Sequence, residues 1–317
     1  MFITEHREEF GVAPICRALA ELGVPIAPRT YYAHIARAPS KRQLWDWSII
    51  EVLAGYYEPD QHGRRAPESL YGSLKMWAHL QRQGLPVARC TVERLMREHG
   101  WRGATRTKKV RTTVSDPVTE RATDLVNRAF KTDRPDVLWV ADFTYVRMSS
   151  GFGYTAFVID AFAGLIVGWE CSLSKYSTFV QSAIRQAGTF RARQARPLTG
   201  DTIHHSDAGS QYTAVRFGET LLLEGLVPSI GSVGDALDNA LAETTIGLYK
   251  TECVRDGSPF RRGPLDRLAD LEESTSTWVH WYNTSRLMHR LGRVPPAEAE
   301  TDHYATTDPA NPAGHTN

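Results

Sequence analysis

The chain is predicted to be an α/β protein in which a mixed sheet flanked by helices follows smaller helical units. Three observations predict it. Residues 137–146 (VLWVADFTYV) are apolar, aromatic or β-branched on both faces, the pattern of a strand central in a doubly covered sheet. Upstream of this run the apolar residues recur at helical spacing rather than alternating. At 317 residues, the chain also exceeds the ~250–300 residues at which a single core stops growing.

Taken in order, residues 1–40 form an N-terminal helical segment. Ile15, Leu19 and Leu22 stand at i, i+4 and i+7, which predicts a helix from Gly11 to Leu22 broken by Gly23 and Pro25. Thr30 is placed to cap a second helix over Tyr31 to Arg37, giving either a helix-turn-helix or a plain helical hairpin. Residues 41–115 form the next unit. Leu74, Trp77 and Leu80 mark a helix from Tyr71 to Gln83 that Gly84-Leu85-Pro86 ends. Thr91 is placed to cap a helix running through Glu98, with Val92, Leu95 and Met96 apolar and Arg89, Arg94 and Arg97 projecting. An arginine-studded helix after a tight turn suits docking in a major groove, although a solvated helical bundle shows the same pattern. The run 102–111 (RGATRTKKVR) contributes Arg102, Arg106, Lys108, Lys109 and Arg111 with no acid, which reads as an arm that neutralises phosphates.

Charge supports the division. Gln61 to Ser115 holds twelve Lys/Arg against three Asp/Glu, a local +9, so with a net charge of +1 the remainder sums to about −8. A basic segment beside an acidic remainder suggests one part for a polyanion and another for cations.

Residues 133–300 form the catalytic-size domain. Pro117 and Pro135 bracket a helix around Glu120 to Phe130, after which strands are predicted at Val137–Val146, Tyr154–Ile159, Leu165–Cys171 and Ile203–Ser206. Helices are predicted over Ser177–Phe190 and Arg216–Leu226. The tail, 301–317, has no periodic apolar pattern and is expected to be disordered.

Several classes are excluded. No apolar stretch reaches the ~18–20 residues of a membrane span, and the first ten residues have neither the basic start nor the apolar run of a secretory signal. The four cysteines are scattered and form no CxxC pair, which argues against disulfides and zinc and fits the reducing cytoplasm. There is no GxxxxGK[ST] loop for a nucleotide.

Three acids carry the chemistry. Asp142 lies in the most apolar strand, where a carboxylate is costly unless paired or bound to a metal. Asp207 opens the loop DAGSQYT just after a strand, a usual active-site position in α/β folds and equally a turn-capping one. The adjacent His204 and His205 must point to opposite faces of that strand, so one is a core or supporting residue. Glu243 lies on a helix expected to begin near Asp238, sharing one face with Asn239, Gly247 and Lys250. Leu237, Leu241 and Leu248 are placed on the opposite face, toward the sheet. Glu243 is thereby a candidate metal ligand, with Asn239 and Lys250 as candidate DNA contacts. Like charges repel at close range, so three carboxylates converge only around cations such as a pair of Mg²⁺ or Mn²⁺ ions, ~3.5–4 Å apart.

The blocks WVADFTYV, HHSDAGSQYT and SVGDALDNALAETTIGLYKTE resemble those of insertion-sequence transposases of the second-reading-frame type, whose catalytic core is retroviral-integrase-like and carries a DDE triad. Thirty-five residues separate Asp207 from Glu243, and Lys250 stands seven past the glutamate, as in that family. WVHWYNTSRLMHRLGRVPPAE is similar to the closing block, and SLYGSLKMWAHL and ARCTVERLM match upstream, so the likeness covers roughly residues 10–300. The resemblance implies a ribonuclease-H-like core with Asp142 on the first strand, Asp207 after the fourth and Glu243 on a helix. It implies metal-dependent cleavage and strand transfer without ATP or a covalent enzyme intermediate. The implied partners are the terminal inverted repeats and target DNA, a homo-oligomer assembled on DNA, and an upstream-frame helix-turn-helix protein as partner or fusion. The implied setting is the bacterial nucleoid. Departures are the absence of the His₂Cys₂ zinc module of retroviral integrases, Ala208, and a DAFAGLIVGW turn without the basic residues common there. Two other readings share these features: a structure-specific nuclease on the same fold, and a DNA-binding regulator with an inactive core.

Overall fold

The computed structural model describes residues 2–105, 126, 131–206, 215–230 and 239–307. The chain divides into two units, Met1–Leu53 and Ala54–Asn317.

The first unit contains α1 (Phe2–Phe10), α2 (Val12–Glu21), α3 (Pro28–Ile35) and the start of α4 (Lys41–Tyr57). Its core is Ile3, Val12, Ile15, Cys16 and Tyr31, with Leu19 and Ile26 packed at the edge. Ile15 and Leu19 thus belong to the expected stripe, whereas Leu22 is the C-cap of α2. Helix α1 was not anticipated, because a sequence as polar as FITEHREEF buries only Ile3. Helix α3 begins at Pro28 with Ala27 as N-cap, so Thr30 is interior and not the cap. Proline suits the first helical position, since its fixed φ is already helical and its missing N–H has no partner to lose.

In the second unit α4 ends, and α5 (Ser73–Arg82) and α6 (Arg89–Glu98) follow a short 3₁₀ turn, Pro67–Leu70. Gly84, at φ +78°, makes the left-handed turn that ends α5. The expected cap at Thr91 is corrected: α6 starts at Arg89 with Ala88 as N-cap, and neither the cap nor Thr91 bonds the helix end through its side chain. Tyr71, Met76, Leu80, Val92, Leu95 and Met96 are buried. Tyr71 fastens these helices to the larger domain. Its hydroxyl donates to the Ser285 carbonyl (3.1 Å) and accepts from the Leu287 N–H (3.2 Å), while Trp281 Nε1 donates to Glu68 (3.2 Å).

The sheet contains β1 (Leu138–Met148), β2 (Gly151–Asp160), β3 (Ile166–Ser172), β4 (Thr202–Ser206) and β5 (Leu226–Ile230) in the order β3-β2-β1-β4-β5. The first three are antiparallel neighbours, and β4 and β5 run parallel to β1. Helices α7 (Thr178–Arg193) and α8 (Val215–Leu223) cover one face, over Trp139, Ala141, Val158, Val167, Ile184 and Phe217. Gly168 lets α7 approach, since a Cβ there would run into the Ala183 carbonyl. Helices α9 (Ala240–Tyr249) and α10 (Leu268–Thr284) cover the other face, where Phe157, Tyr249 and Trp278 meet with ring centroids 4.9–5.9 Å apart.

Two expectations are corrected. The helix ending at Leu223 is followed by strand β5, whose Pro228 is tolerated because β5 is at the edge of the sheet. Disorder from residue 301 onward is also not what is seen: α11 (Pro296–Thr307) runs through to Thr307. It is held from outside, by Glu300 on buried Arg191 (2.8 Å), Arg196 over the Tyr304 ring (3.5 Å) and His303 against Phe162 (4.8 Å). Residues 308–317 of the tail lie outside the described residues, as do 120–125 and 127–130 of the predicted linker helix.

Candidate active site

Asp142 sits where the pairing of β1 changes. Among the described residues, β4 pairs with β1 as far as Ser206 opposite Ala141, and from Asp142 onward the recorded neighbour of β1 is β2. The carboxylate is therefore at the carboxyl end of a parallel pair, the usual crevice of open α/β sheets, and is half-buried. Its opposite number on β2 is Phe157, so it points to the face covered by α9. The N–H of Phe143 donates to its Oδ1 at 2.7 Å.

Helix α9 is tied to the same spot. Asn239 is the N-cap of α9, but its side chain does not cap. Its amide Nδ2 donates instead to the Ala141 carbonyl (3.0 Å), and its Oδ1 is buried with no hydrogen-bond partner. Asn239, expected as a DNA contact, is only 6% exposed and joins α9 to β1. One turn on, the half-buried Glu243 donates its N–H to the Asn239 carbonyl (3.0 Å). The buried face of α9 is Ala242, Thr245, Ile246 and Tyr249, while Leu241 and Leu248 are only half-buried. The sequence-based assignment of Leu241 and Leu248 to the sheet is corrected accordingly, and Leu237 lies outside the described residues. Tyr249 decides the rotation, because its hydroxyl is shared between Thr155 (3.2 Å) and Thr275 (2.7 Å) inside the core.

Lys250 ends α9 and enters a wide turn, Lys250–Val254, with its Nζ 4.7 Å from the centre of the Tyr145 ring. Tyr145 is half exposed on β1, three residues past Asp142. Its role as a platform was missed, and the one sign in the sequence was an aromatic at an outward position of a buried strand. Glu252, nine residues past Glu243 in this block, is committed elsewhere. It is 5% exposed and held by Arg286 in a double contact (2.6 and 2.9 Å) and by Trp278 Nε1 (3.3 Å). Glu243, by contrast, is half-buried on α9 one turn past Asn239.

The flanking histidines divide as expected. His205 lies on the α9 side with Ser229 (2.9 Å), and His204 lies against Phe217 (5.5 Å) on the other. Burial pushes the His204 imidazole down to about 3, with His205 as a second, smaller cause. Of the expected DNA contacts, Arg94 pairs with Glu98 (3.1 Å), and Arg97 and Arg102 are exposed. Asp207, Arg106, Lys108, Lys109 and Arg111 lie outside the described residues. Asp142, Glu243 and the unpaired Asn239 Oδ1 are all hard oxygen donors, a set that fits Mg²⁺ or Mn²⁺ rather than a softer metal.

Comparison with known proteins agrees. Residues 132–236 and 224–296 match models of the integrase core domain, and residues 60–109 match the HTH-like domain. These define an enzyme of the polynucleotidyl-transferase class with an integrase core behind a helix-turn-helix-like module. The chain is 46% identical over 282 residues to a Mycobacterium tuberculosis protein named for transposition of insertion sequence element IS986/IS6110, covering 89% of this chain and 97% of the relative. It is 45% identical over 306 residues to the transposase for insertion sequence element IS629 of Shigella sonnei, covering 95% of each. The chain belongs to the insertion-sequence transposases, and its function is DNA transposition. A solved HTLV-2 integrase catalytic core in complex with magnesium is similar over 53% of this chain and 98% of its own, at 17% identity and a TM-score of 0.41. No helix among the described residues is long and apolar enough to cross a membrane.

Proposed function

We propose that this transposase cuts the ends of its insertion element and joins the freed 3′ ends to target DNA with a carboxylate triad of Asp142, Asp207 and Glu243. One observation carries the reading: three acid-bearing segments meet at Ala141. Asp142 follows it in the chain, Ser206 (the residue before Asp207) is its strand partner, and Asn239, one turn before Glu243, is bonded to its carbonyl. Carboxylates that converge on one point need cations to offset their repulsion. Asp142, Asp207 and Glu243 would hold two divalent ions, Mg²⁺ or Mn²⁺, which supply a more acidic attacking oxygen and charge stabilisation at phosphorus.

The chain's own part is positioning. Phe143 N–H and the Asn239 staple hold the Asp142 carboxylate and the start of α9 before DNA arrives. Water attacks the phosphorus at the element end, the 3′ oxygen leaves and takes a proton, and a free 3′ hydroxyl results. That hydroxyl then attacks a target phosphodiester in line, and the target's 3′ oxygen leaves. One phosphodiester forms for each one broken in this second step, so no nucleotide hydrolysis is needed. Lys250, steadied over Tyr145, lies where its ammonium would meet a phosphate next to the reacting one. Arg94, Arg97 and Arg102 of the helix-turn-helix-like module and the arm with Arg106, Lys108, Lys109 and Arg111 would bind the terminal inverted repeats. Strand joining at two ends calls for more than one protomer on the DNA, and an upstream-frame helix-turn-helix protein is the expected partner or fusion.

The test uses end-labelled duplexes carrying the element ends, full-length protein and Mg²⁺. Asp142→Asn, Asp207→Asn and Glu243→Gln are each expected to lower cleavage and joining by on the order of 10³-fold or more, with DNA binding retained in EDTA. Joined products at the normal rate from any of the three would refute the assignment. Cleavage without joining by the unaltered protein would favour a nuclease.

A further inference from the structure

The molecule has a large cleft of about 1040 Å³ that is separate from the acidic crevice. Three segments wall it: the loop that opens the helix-turn-helix-like module, the far end of β1, and the chain that follows the wide turn after α9. Six arginines line it, namely Arg64, Arg65, Arg147, Arg255, Arg261 and Arg262, against one carboxylate, Asp256. None belongs to the arm or to the arginine-bearing helix α6.

The arginines divide into two kinds. Arg261 donates to the Val254 carbonyl (3.0 Å) and to Asp256 (2.6 Å), and Arg262 pairs with Glu273 (2.9 Å). They build the wall, together with the Ser258 hydroxyl on the Glu252 carbonyl (2.7 Å) and the Ser149 N–H on the Leu265 carbonyl (3.0 Å). Arg64, Arg65, Arg147 and Arg255 are exposed and form no ion pair among the described residues. Four guanidinium groups lining one preformed cleft repel one another, and a polyanion threading between them would offset that repulsion. A concave site of one sign also concentrates field lines on its occupant. Guanidinium forks match phosphate oxygens in pairs, which favours a run of phosphates over isolated anions.

Position selects the polyanion. Arg147 lies five residues along β1 from Asp142, a distance of about 17 Å, with Lys250 and Tyr145 in between. That is the length of about five base pairs of duplex. We propose that this cleft is a second, sequence-independent DNA site that grips the phosphate backbone about five base pairs from the bond being cut. It connects the module that recognises DNA to the core that cuts it. The proposal rests on the transposase reading above and assigns a further surface to it.

Full-length protein is titrated against a 30-base-pair duplex of arbitrary sequence, with ~50 to ~300 mM NaCl in EDTA, and fluorescence anisotropy is read. Each lost phosphate contact should lower the slope of log Kd against log salt by about 0.9. The variant with Arg64→Ala, Arg65→Ala, Arg147→Ala and Arg255→Ala should lose about 3.6 units of slope and at least about tenfold in affinity near ~100 mM salt. The half-variants (the first pair, the second pair) should each lose about half of that slope, which keeps the test open should the quadruple variant fold poorly. The all-lysine version should keep the original slope. Slopes unchanged in both half-variants, or equally reduced by replacing the exposed Arg185 and Arg193 of α7 with alanine, would overturn the cleft. Cleavage of element ends by the unaltered protein is scored in parallel. A protein that binds steeply through the cleft but never cuts refutes the transposase reading and keeps the cleft, whereas one that cuts while the half-variants bind normally refutes only the cleft.

Discussion

His204 has both ring nitrogens buried and unpaired in the core between β4 and α8, with Phe217 against its ring. Such a group is tolerated only as the neutral imidazole, because charging it there would strand a cation in apolar surroundings. Its folded pKa, about 3, is below the unfolded value near 6.5, so the unfolded chain binds the extra proton first. Stability from this residue is complete above pH 6.5 and is lost as pH falls toward 3, amounting to roughly 3 kcal/mol by pH 4. Thermal unfolding between pH 4 and 7 should therefore show a steep acid flank that His204→Phe flattens, and an equally steep flank in that variant would assign the effect to other groups. The same scale separates Glu243 from Glu252. Both lie in one helical block, and only the surrounding residues show that Glu252 is buried against Arg286 while Glu243 stays half-buried.

At the scale of elements, α11 shows how tertiary contacts make a helix that its sequence does not announce. Arg191 of α7 is fully buried and reaches three carboxylates: Asp136 (2.8 Å), Asp160 (3.2 Å) and Glu300 of α11 (2.8 Å). Burial and the neighbouring Glu300 push Asp160 up to about 7. Arg191→Met removes the one cation from this cluster and leaves the acids buried and uncompensated, at a cost of about 3–5 kcal/mol. The melting temperature should fall accordingly, and residues 296–307 should become the first site of limited proteolysis. A variant that melts normally and keeps that segment protected would show that α11 is held by something else. Helix α9 makes a related point: its rotation was assigned from its leucines, but the side chain with the most to gain from burial was Tyr249, whose hydroxyl finds two threonines inside.

At the scale of the molecule, binding and chemistry are expected to be separable. DNA should be held by positive charge in the helix-turn-helix-like module, the arm and the cleft, and cut by negative charge in the crevice. Replacing Arg106, Lys108 and Lys109 with alanine should weaken duplex binding and lower its salt slope by about 2.7. It should leave the cleavage rate at saturating protein little changed, and an unchanged salt slope would remove the arm from the interface.

The sequence by itself determined the architecture and the spacing of the acids. An apolar run such as 137–146 can only be a central strand, and Asp207, Glu243 and Lys250 keep their separations in any fold. Local pattern could not determine cap positions, the short edge strand β5 with its proline, or the helix that continues past residue 301. Only the tertiary structure decided which face of α9 is buried, that Asn239 bonds Ala141, and that arginines from three distant segments share one cleft. The reason is physical: periodicity is set by neighbours along the chain, whereas the fate of a polar side chain is set by whichever partner the fold brings to it from far away.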